Sequence, residues 1–204
     1  MKVLVVYYSR YGHVLQLAQS VVDGVKSVAG VEAVLRRVQE FEDIERELAR
    51  HEHALAVWNR QQDIPLCTLD DLKEADGVIF GTPTRYGNMT AQMKRLFDGT
   101  VKLWLEGAFE GKPAGVFTST ATTHGGQETT CLTMMVPLLH LGFIIVGVPY
   151  STPGLLHTEG RGGTPYGATT VAGPGNDLDP APEDLAIARA LGRRVAEVTQ
   201  KLRG

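Results

Sequence analysis

The sequence predicts an α/β fold, a doubly wound parallel sheet of about five strands with helices on both faces. The first observation is the run from Val3 to Tyr8, six apolar or aromatic residues typical of a strand that is buried on both faces. The second is that four further short apolar runs alternate with segments of helical period. The third is size, because 204 residues with 43% hydrophobic content suit a single domain over residues 1–204.

The composition argues against several classes of protein. A net charge of −3 provides no basic surface for nucleic acid or an anionic membrane. Cys67 and Cys131 stand far apart in unrelated contexts, which argues against a disulfide framework and against a thiolate metal site. No apolar run approaches the roughly 20 residues of a membrane helix, and no signal peptide is recognisable. We therefore expect a soluble, cytoplasmic protein without a metal site or membrane span.

Helical and strand patterns follow the first strand. Apolar residues three or four apart predict an amphipathic helix over residues 13–29, which Gly30 ends. Alternation from Val31 to Val38, with two arginines, favours a strand nearer the edge of the sheet.

Residues 39–66 are the least informative part of the chain. Mixed charges over residues 42–50 leave a solvated helix as one option, and the end of the segment resembles a loop. The pair Thr68 and Asp71 then predicts a capping box at the start of a short helix that runs to Glu74.

The second half repeats the strand–loop–helix pattern. A long segment rich in glycine and proline, residues 151–182, is predicted to be a loop, and loops of this length are usually functional or disordered. The predicted strands cover residues 77–81, 114–118 and 143–148, and the predicted helices cover residues 89–98, about 127–141 and the C-terminal segment.

Three predicted strands end in polar loops that contain glycine, over residues 9–13, 82–88 and 119–126. The loops at the carboxyl ends of parallel strands line the ligand crevice of a doubly wound sheet. The first loop also leads into a helix, whose unpaired N–H groups and dipole suit a phosphate. Any one of these loops could be polar merely because surface loops are, but all three together favour a ligand.

Several nucleotide and hydrolase motifs are missing from the sequence. There is no G-x-G-x-x-G after the first strand, no phosphate-binding G-x-x-x-x-G-K-[ST] and no G-x-S-x-G elbow. No acidic cluster follows the first strand, as a phosphorelay receiver would need. These absences leave a turn suited to one phosphate, with two further loops that could hold a flat group.

Three segments carry motifs of a known family, from Tyr7 to His13, from Gly81 to Met89 and from Arg161 to Thr170, in the family's order. They resemble the motifs of the WrbA family, whose members are flavodoxin-like NAD(P)H:quinone oxidoreductases that bind FMN. The resemblance covers nearly the whole chain and is weakest over residues 39–66.

The resemblance implies a role for each loop. Ser9 and the backbone of residues 10–14 would hold the FMN phosphate, Thr84 to Tyr86 would surround the isoalloxazine ring, and Ser119 to His124 would meet its pyrimidine side. Tyr11 and Trp104 would contact substrates, and His140 would be the catalytic residue as well as a cofactor contact. The implied cofactor-binding residues are Ser9, Arg10, Tyr11, Gly12, His13, Val14, Thr84, Arg85, Tyr86, Ser119, Thr120, Ala121, Thr122, Thr123, His124 and His140.

Some of these residues also have structural interpretations. His140 lies in an apolar helix and by pattern alone would be a core histidine, whereas the resemblance implies a polar contact to the quinone oxygen. Trp104 would pack in the core or stack on a planar ligand. His51 and His53 are predicted to be solvated rather than metal ligands. The third loop departs most from the family pattern over residues 121–124.

The resemblance implies a two-step reaction with ping-pong kinetics, in which NAD(P)H reduces FMN, leaves, and is replaced by a quinone on the same face. Family members assemble as tetramers with sites completed across subunits, and the loop over residues 151–182 is a candidate for that contact. Two alternatives are a flavodoxin-type electron carrier, which predicts strong acidity around the flavin, and a flavin-binding regulatory protein without turnover.

Overall fold

The structure is a computed structural model that describes residues 1–42, 44–48, 50–159 and 161–203. Its parallel strands lie in the order β2-β1-β3-β4-β5, with β6 also paired to β4. This is the doubly wound arrangement that the alternation of strands and helices predicts. The strands are β1 Lys2–Tyr7, β2 Glu32–Arg37, β3 Gly77–Pro83, β4 Pro113–Thr120, β5 Ile144–Ile145 and β6 Ala168–Val171.

Helices lie between the strands along the chain. They are α1 His13–Lys26, α2 Ile44–Leu48, α3 Glu52–Arg60, α4 Leu69–Glu74, α5 Ala91–Asp98, α6 Val101–Leu105, α7 Gln127–His140 and α8 Pro182–Arg203. No helix in the ranges that the structure describes is long and apolar enough to cross a membrane.

The central strand β1 is buried on both faces, as its sequence predicts. Val3, Val5 and Tyr7 pack in the core cluster that contains α1 and α8, whereas Leu4 and Val6 pack in the opposite cluster with α5 and α7. Each face of the sheet therefore has its own hydrophobic core, and the carboxyl end of β1 is held between the two.

Two glycines allow α1 and α8 to approach closely. A Cβ added to Gly24 would lie 2.0 Å from the Arg189 carbonyl oxygen, and one added to Gly192 would lie 2.0 Å from that of Val21. No side chain fits at such a distance, so the backbones of the two helices are in direct contact here.

The fifth strand differs from the prediction. It was expected over residues 143–148, but β5 pairs only with the start of β4, and β6 pairs with its end, from Phe117 to Thr120. Further along, the chain bonds the loop, because the Val148 N–H donates to the Pro165 carbonyl oxygen at 3.0 Å and a Cβ on Gly147 would lie 2.3 Å from the same oxygen. Residues 151–182 are thus not purely a loop, since they contain β6.

The poorly predicted segment between β2 and β3 contains α2 and α3. The solvated-helix option over residues 42–50 is met in part by α2, while Asp43 and Ala49 lie outside the described residues. The capping box of α4 is confirmed, because Thr68 Oγ1 accepts from the Asp71 N–H at 3.0 Å and the Asp71 carboxylate accepts from the Thr68 N–H at 2.9 Å.

Candidate functional site

A cavity of about 110 Å³ lies where β1, β3 and β4 end. The three polar loops that follow these strands converge on it, as expected for a doubly wound sheet. The residues that line it are Ser9, Arg10, Tyr11, His13, Val14, Pro83, Thr84, Arg85, Ser119, Thr120, Ala121, Ala172 and Asn176.

The first loop presents backbone donors at the start of α1. Gly12 has the left-handed φ of +98°, and its N–H donates to Ser9 Oγ at 3.2 Å. Among the described residues no side chain caps α1, and its first turn carries no acidic residue, so the N–H groups of that turn can bind an anion. Arg10 Nε is buried without a hydrogen-bond partner among the described residues. These features fit a phosphate group.

His13 begins α1 and is almost fully buried beside this turn. Burial lowers the pKa of His13, with smaller opposing contributions from Asp179 and the Leu178 backbone. The imidazole is therefore neutral at neutral pH, and the fixed positive charge beside the turn comes from Arg10, whose Nη2 pairs with the Glu47 carboxylate at 3.0 Å.

The second loop is a tight turn tied to the third. Arg85 and Asn88 exchange backbone hydrogen bonds of 2.7 and 3.1 Å across Tyr86, which has φ +55°, and Gly87, which has φ +75°. Two left-handed residues in succession form this kind of turn, and a tyrosine there is strained. The Tyr86 side chain points fully into solvent and does not line the cavity.

Thr84 connects the second loop to its neighbours. Its N–H donates to the Ser119 carbonyl oxygen at 2.8 Å, and its Oγ1 accepts from Thr130 Oγ1 at 2.8 Å. The backbone of Thr84 is therefore fixed against the end of β4, where the third loop begins.

Only the first part of the third loop reaches the cavity. Ser119 and Thr120 are buried and line it together with Ala121. Thr122, Thr123 and His124 are exposed and lie outside its lining. The chain turns outward there, because Thr120 Oγ1 donates to the Thr122 carbonyl oxygen at 2.8 Å and closes a local turn.

Trp104 and His140 lie together in a different place. They line an apolar groove of about 560 Å³ between α5, α6 and α7, which also includes Val101, Val136 and Met89. Both side chains are exposed, Trp104 by 52%, so the core interpretation is wrong for both residues. Within one chain, neither joins the loop cavity.

The cavity also includes residues that the sequence interpretation missed, namely Pro83, Ala172 and Asn176. Ala172 follows β6 directly, and Asn176 has φ +56° in the turn beyond it. Had β6 been recognised, the rule that ligands bind beyond the carboxyl ends of parallel strands would have included this turn.

Comparisons with known proteins place the chain in a family. Residues 1–153 match the sequence model of a family described as NADPH-dependent FMN reductase. A protein of Syntrophobacter fumaroxidans named NAD(P)H dehydrogenase (quinone) is 50% identical over 203 residues, which cover 99% of this chain and 98% of that protein. The chain belongs to the family of NADPH-dependent FMN reductases. A relative of the same name from Solidesulfovibrio magneticus is 48% identical, with 100% of both chains covered.

Solved structures share the fold. The flavodoxin, WrbA-like protein from Agrobacterium tumefaciens has a TM-score of 0.67 at 24% identity, with 98% of both chains covered. Flavodoxin 1 from Bacillus cereus has a TM-score of 0.61 at 15% identity, covering 97% of this chain and 98% of its own. The predicted flavodoxin-like α/β fold and the family resemblance drawn from the three motifs are confirmed.

Proposed function

We propose that this protein is an FMN-dependent oxidoreductase that uses NAD(P)H to reduce quinones to hydroquinones by two electrons. The observation that carries the proposal is the convergence of three polar loops on one cavity, beside an uncapped helix N-terminus. The names of relatives that are about half identical over the full chain support the same activity.

The first loop would hold the FMN phosphate. Ser9 would contribute its hydroxyl, residues 10–14 their backbone donors, and Arg10 a positive charge whose buried Nε lacks a partner among the described residues. His13, kept neutral by burial, would add a polar contact without a second charge. Bound FMN would supply the hydride acceptor and donor of the reaction.

The other two loops would orient the flavin ring. The backbones of Thr84 and Arg85 lie at the cavity in a turn that is hydrogen bonded to β4, and Ser119 to Ala121 lie opposite. Hydrogen bonds from a rigid backbone fix the ring and tune its electronics without a nucleophilic side chain. Tyr11 lines the same cavity and would form one wall of the nicotinamide site.

The charge of the cavity favours an enzyme over an acidic electron carrier. Among the residues that line it, the formally charged ones are Arg10 and Arg85, and the Glu47 carboxylate that pairs with Arg10 at 3.0 Å does not line it. Positive charge at this position attracts NAD(P)H and the FMN phosphate, whereas docking of a carrier to a basic partner calls for carboxylates.

A second copy of the chain would cover the apolar groove and complete the site. Val101, Trp104 and Val136 expose more than half of their surface there, and a contiguous apolar surface of this kind usually marks an interface. In a tetramer, Trp104 and His140 would then reach the flavin site of a neighbouring subunit, with His140 as a polar contact for the quinone oxygen.

We also propose a cytoplasmic location. Both cysteines, Cys67 and Cys131, are free thiols. Free thiols suit a reducing compartment, and NAD(P)H is available there.

Steady-state oxidation of NADH or NADPH by the FMN-loaded protein, with benzoquinone as acceptor, tests the proposal. We expect quinone-dependent loss of the 340 nm absorbance of the donor, with parallel double-reciprocal plots because donor and quinone share one site. FMN-loaded protein without quinone-dependent turnover would overturn the enzymatic role. Protein that takes up no FMN would overturn the cofactor assignment as well.

A further inference from the structure

We propose that α3 and the glutamine that follows it form a clamp that positions the first loop for the FMN phosphate. This proposal rests on the proposed function. The clamp is defined as residues 52–61, which lie within the uninformative segment over residues 39–66. Gln61 and His53 are its positioning residues, and each holds a different carbonyl group of the loop.

Gln61 ties the end of α3 to the start of the loop. Its side chain is 3% exposed, and its Nε2 donates to the carbonyl oxygen of Ser9 and to that of Val57, both at 3.1 Å. Both N–H groups of this buried amide are therefore used, one on the loop and one on α3 itself. A buried donor with two defined acceptors fixes the distance between the two elements.

His53 holds the next part of the loop. Its Nε2 lies 3.1 Å from the Tyr11 carbonyl oxygen, and its ring stacks on the Tyr11 ring at 6.4 Å between centroids and 13° between planes. Because a carbonyl oxygen only accepts, Nε2 carries the proton in this contact. The Arg10 guanidinium lies 5.8 Å from the centroid of the same Tyr11 ring, so the ring is held by two neighbours.

Packing adds a third contact between clamp and loop. A Cβ added to Gly12 would lie 3.4 Å from Val57 Cγ2, so the glycine at the start of α1 rests against the buried side of α3. The left-handed φ of Gly12 and this close approach together leave the loop little freedom to relax away from the clamp.

Because the peptide bond is planar, a contact that holds a carbonyl group also orients the N–H group of the same peptide. A trans peptide is planar, so its N–H points opposite to its C=O. When Gln61 holds the Ser9 carbonyl group on the α3 side, the Arg10 N–H of the same peptide faces away from the clamp. The clamp thereby prepares the Arg10 N–H for an anion, and its loss weakens phosphate binding more than it affects the flavin ring.

Two adjacent glutamines provide a matched test. Gln61→Met removes the donor to Ser9 and keeps the length of the side chain. Gln62→Met is the control, because the exposed Gln62 also donates to the carbonyl group four residues earlier, at 2.9 Å, and among the described residues it bonds Arg37 rather than the loop. Full-length protein stripped of flavin is titrated with FMN and with riboflavin, which lacks the phosphate, by flavin fluorescence, and its thermal unfolding is recorded.

We expect Gln61→Met to raise the Kd for FMN about 5- to 30-fold and to leave the Kd for riboflavin within about twofold, since one hydrogen bond that orients the phosphate site is lost. Gln62→Met should change neither constant. Equal FMN affinity in the two variants, or a parallel loss of riboflavin affinity, would overturn the clamp.

A second pair of variants keeps the test valid if Gln61→Met folds poorly. His53→Phe retains an aromatic ring beside Tyr11 and loses the donor, whereas His53→Gln retains a donor and loses the ring. We expect His53→Phe to weaken FMN about three- to tenfold and His53→Gln to restore most of that affinity. The reverse order rejects the hydrogen bond to Tyr11 as the positioning contact.

The wild-type protein separates failure of the clamp from failure of the proposed function. If the wild-type protein binds FMN and reduces quinone while the variants match their controls, the clamp alone is overturned. Wild-type protein that binds no FMN overturns both.

Discussion

His13 shows how burial tunes a single residue beside the candidate phosphate site. Its imidazole is 5% exposed at the first position of α1, where the helix dipole is positive. A protonated side chain there would meet both an apolar environment and the positive end of the helix. The pKa of His13 is accordingly lowered, with burial as the largest cause.

This lowered pKa predicts how stability depends on pH. Because the unfolded chain keeps the ordinary histidine pKa near 6.5 and the folded one has a lower value, the unfolded state binds more protons at mildly acidic pH. The contribution of His13 is therefore complete above about pH 6.5 and declines as the pH falls toward the folded pKa. Urea unfolding of flavin-free wild type and His13→Gln at pH 7.5, 6.5 and 5.5 measures it.

The difference in free energy of unfolding between wild type and His13→Gln should shrink as the pH falls, since glutamine does not titrate. The charges of Asp179 and His53 that act on His13 are present in both proteins. A difference that stays constant over this range would contradict a lowered pKa.

Single residues also show where sequence reasoning stopped. Ser119 and Thr123 are both hydroxyl residues in one polar loop, yet the first lines the cavity and the second is exposed. Composition does not distinguish them, because the difference arises from the turn that Thr120 closes with the Thr122 carbonyl group. Similarly, Trp104 and His140 occur in apolar contexts and still lie in an open groove, since burial depends on what packs against a helix face.

At the scale of elements, β1 to β4 and most helices could be predicted because each has a regular apolar pattern, whereas β5 is shorter than expected. Among the elements that no pattern predicted, β6 and α3 share a physical cause. The strand β6 has four residues within a segment rich in glycine, and α3 buries only Ala54 and Val57 besides its neighbour Gln61. Their stability comes from hydrogen bonds to distant segments, which no local period reveals.

The segment that carries β6 is fastened to α8 by one buried carboxylate. Asp184 is 3% exposed and accepts hydrogen bonds from the Gly162 N–H at 2.6 Å, from Thr170 Oγ1 at 2.7 Å and from the Ala181 N–H at 3.0 Å. It thereby connects the middle of the long loop, β6 and the first turn of α8. The loop that supplies Ala172 and Asn176 to the cavity is held at both ends.

Asp184→Asn should therefore destabilise the protein by about 2–3 kcal/mol, because an amide nitrogen replaces an acceptor and faces a buried donor. Asp23→Asn makes the same chemical change in an exposed pair with Arg189, 3.3 Å apart, and should change stability by less than about 0.5 kcal/mol. Urea unfolding measures both. Equal effects would show that the three hydrogen bonds of Asp184 do not hold the loop.

At the scale of the whole molecule, the loop cavity and the apolar groove are two separate open surfaces of different character. The loop cavity is polar and built within one chain, whereas the groove is apolar and exposes Val101, Trp104 and Val136. An apolar surface is stabilised by contact with another surface. Assembly of identical chains would bury the groove and bring its aromatic residue and histidine to a flavin, so that oligomerisation and activity become linked.

Val136→Glu tests that link, because a carboxylate in a buried apolar interface is strongly unfavourable. Wild type should elute as a multiple of the 22.1 kDa chain in size-exclusion chromatography with light scattering, and Val136→Glu as a single chain.

The variant should keep FMN, since the three loops are intact, and lose at least about tenfold in kcat/KM for quinone, equivalent to about 1.4 kcal/mol of transition-state stabilisation. Leu156→Glu changes an exposed apolar residue of the long loop, the other candidate contact. Dissociation by Leu156→Glu alone would move the interface to that loop, and a wild-type monomer with full activity would exclude sites completed across subunits.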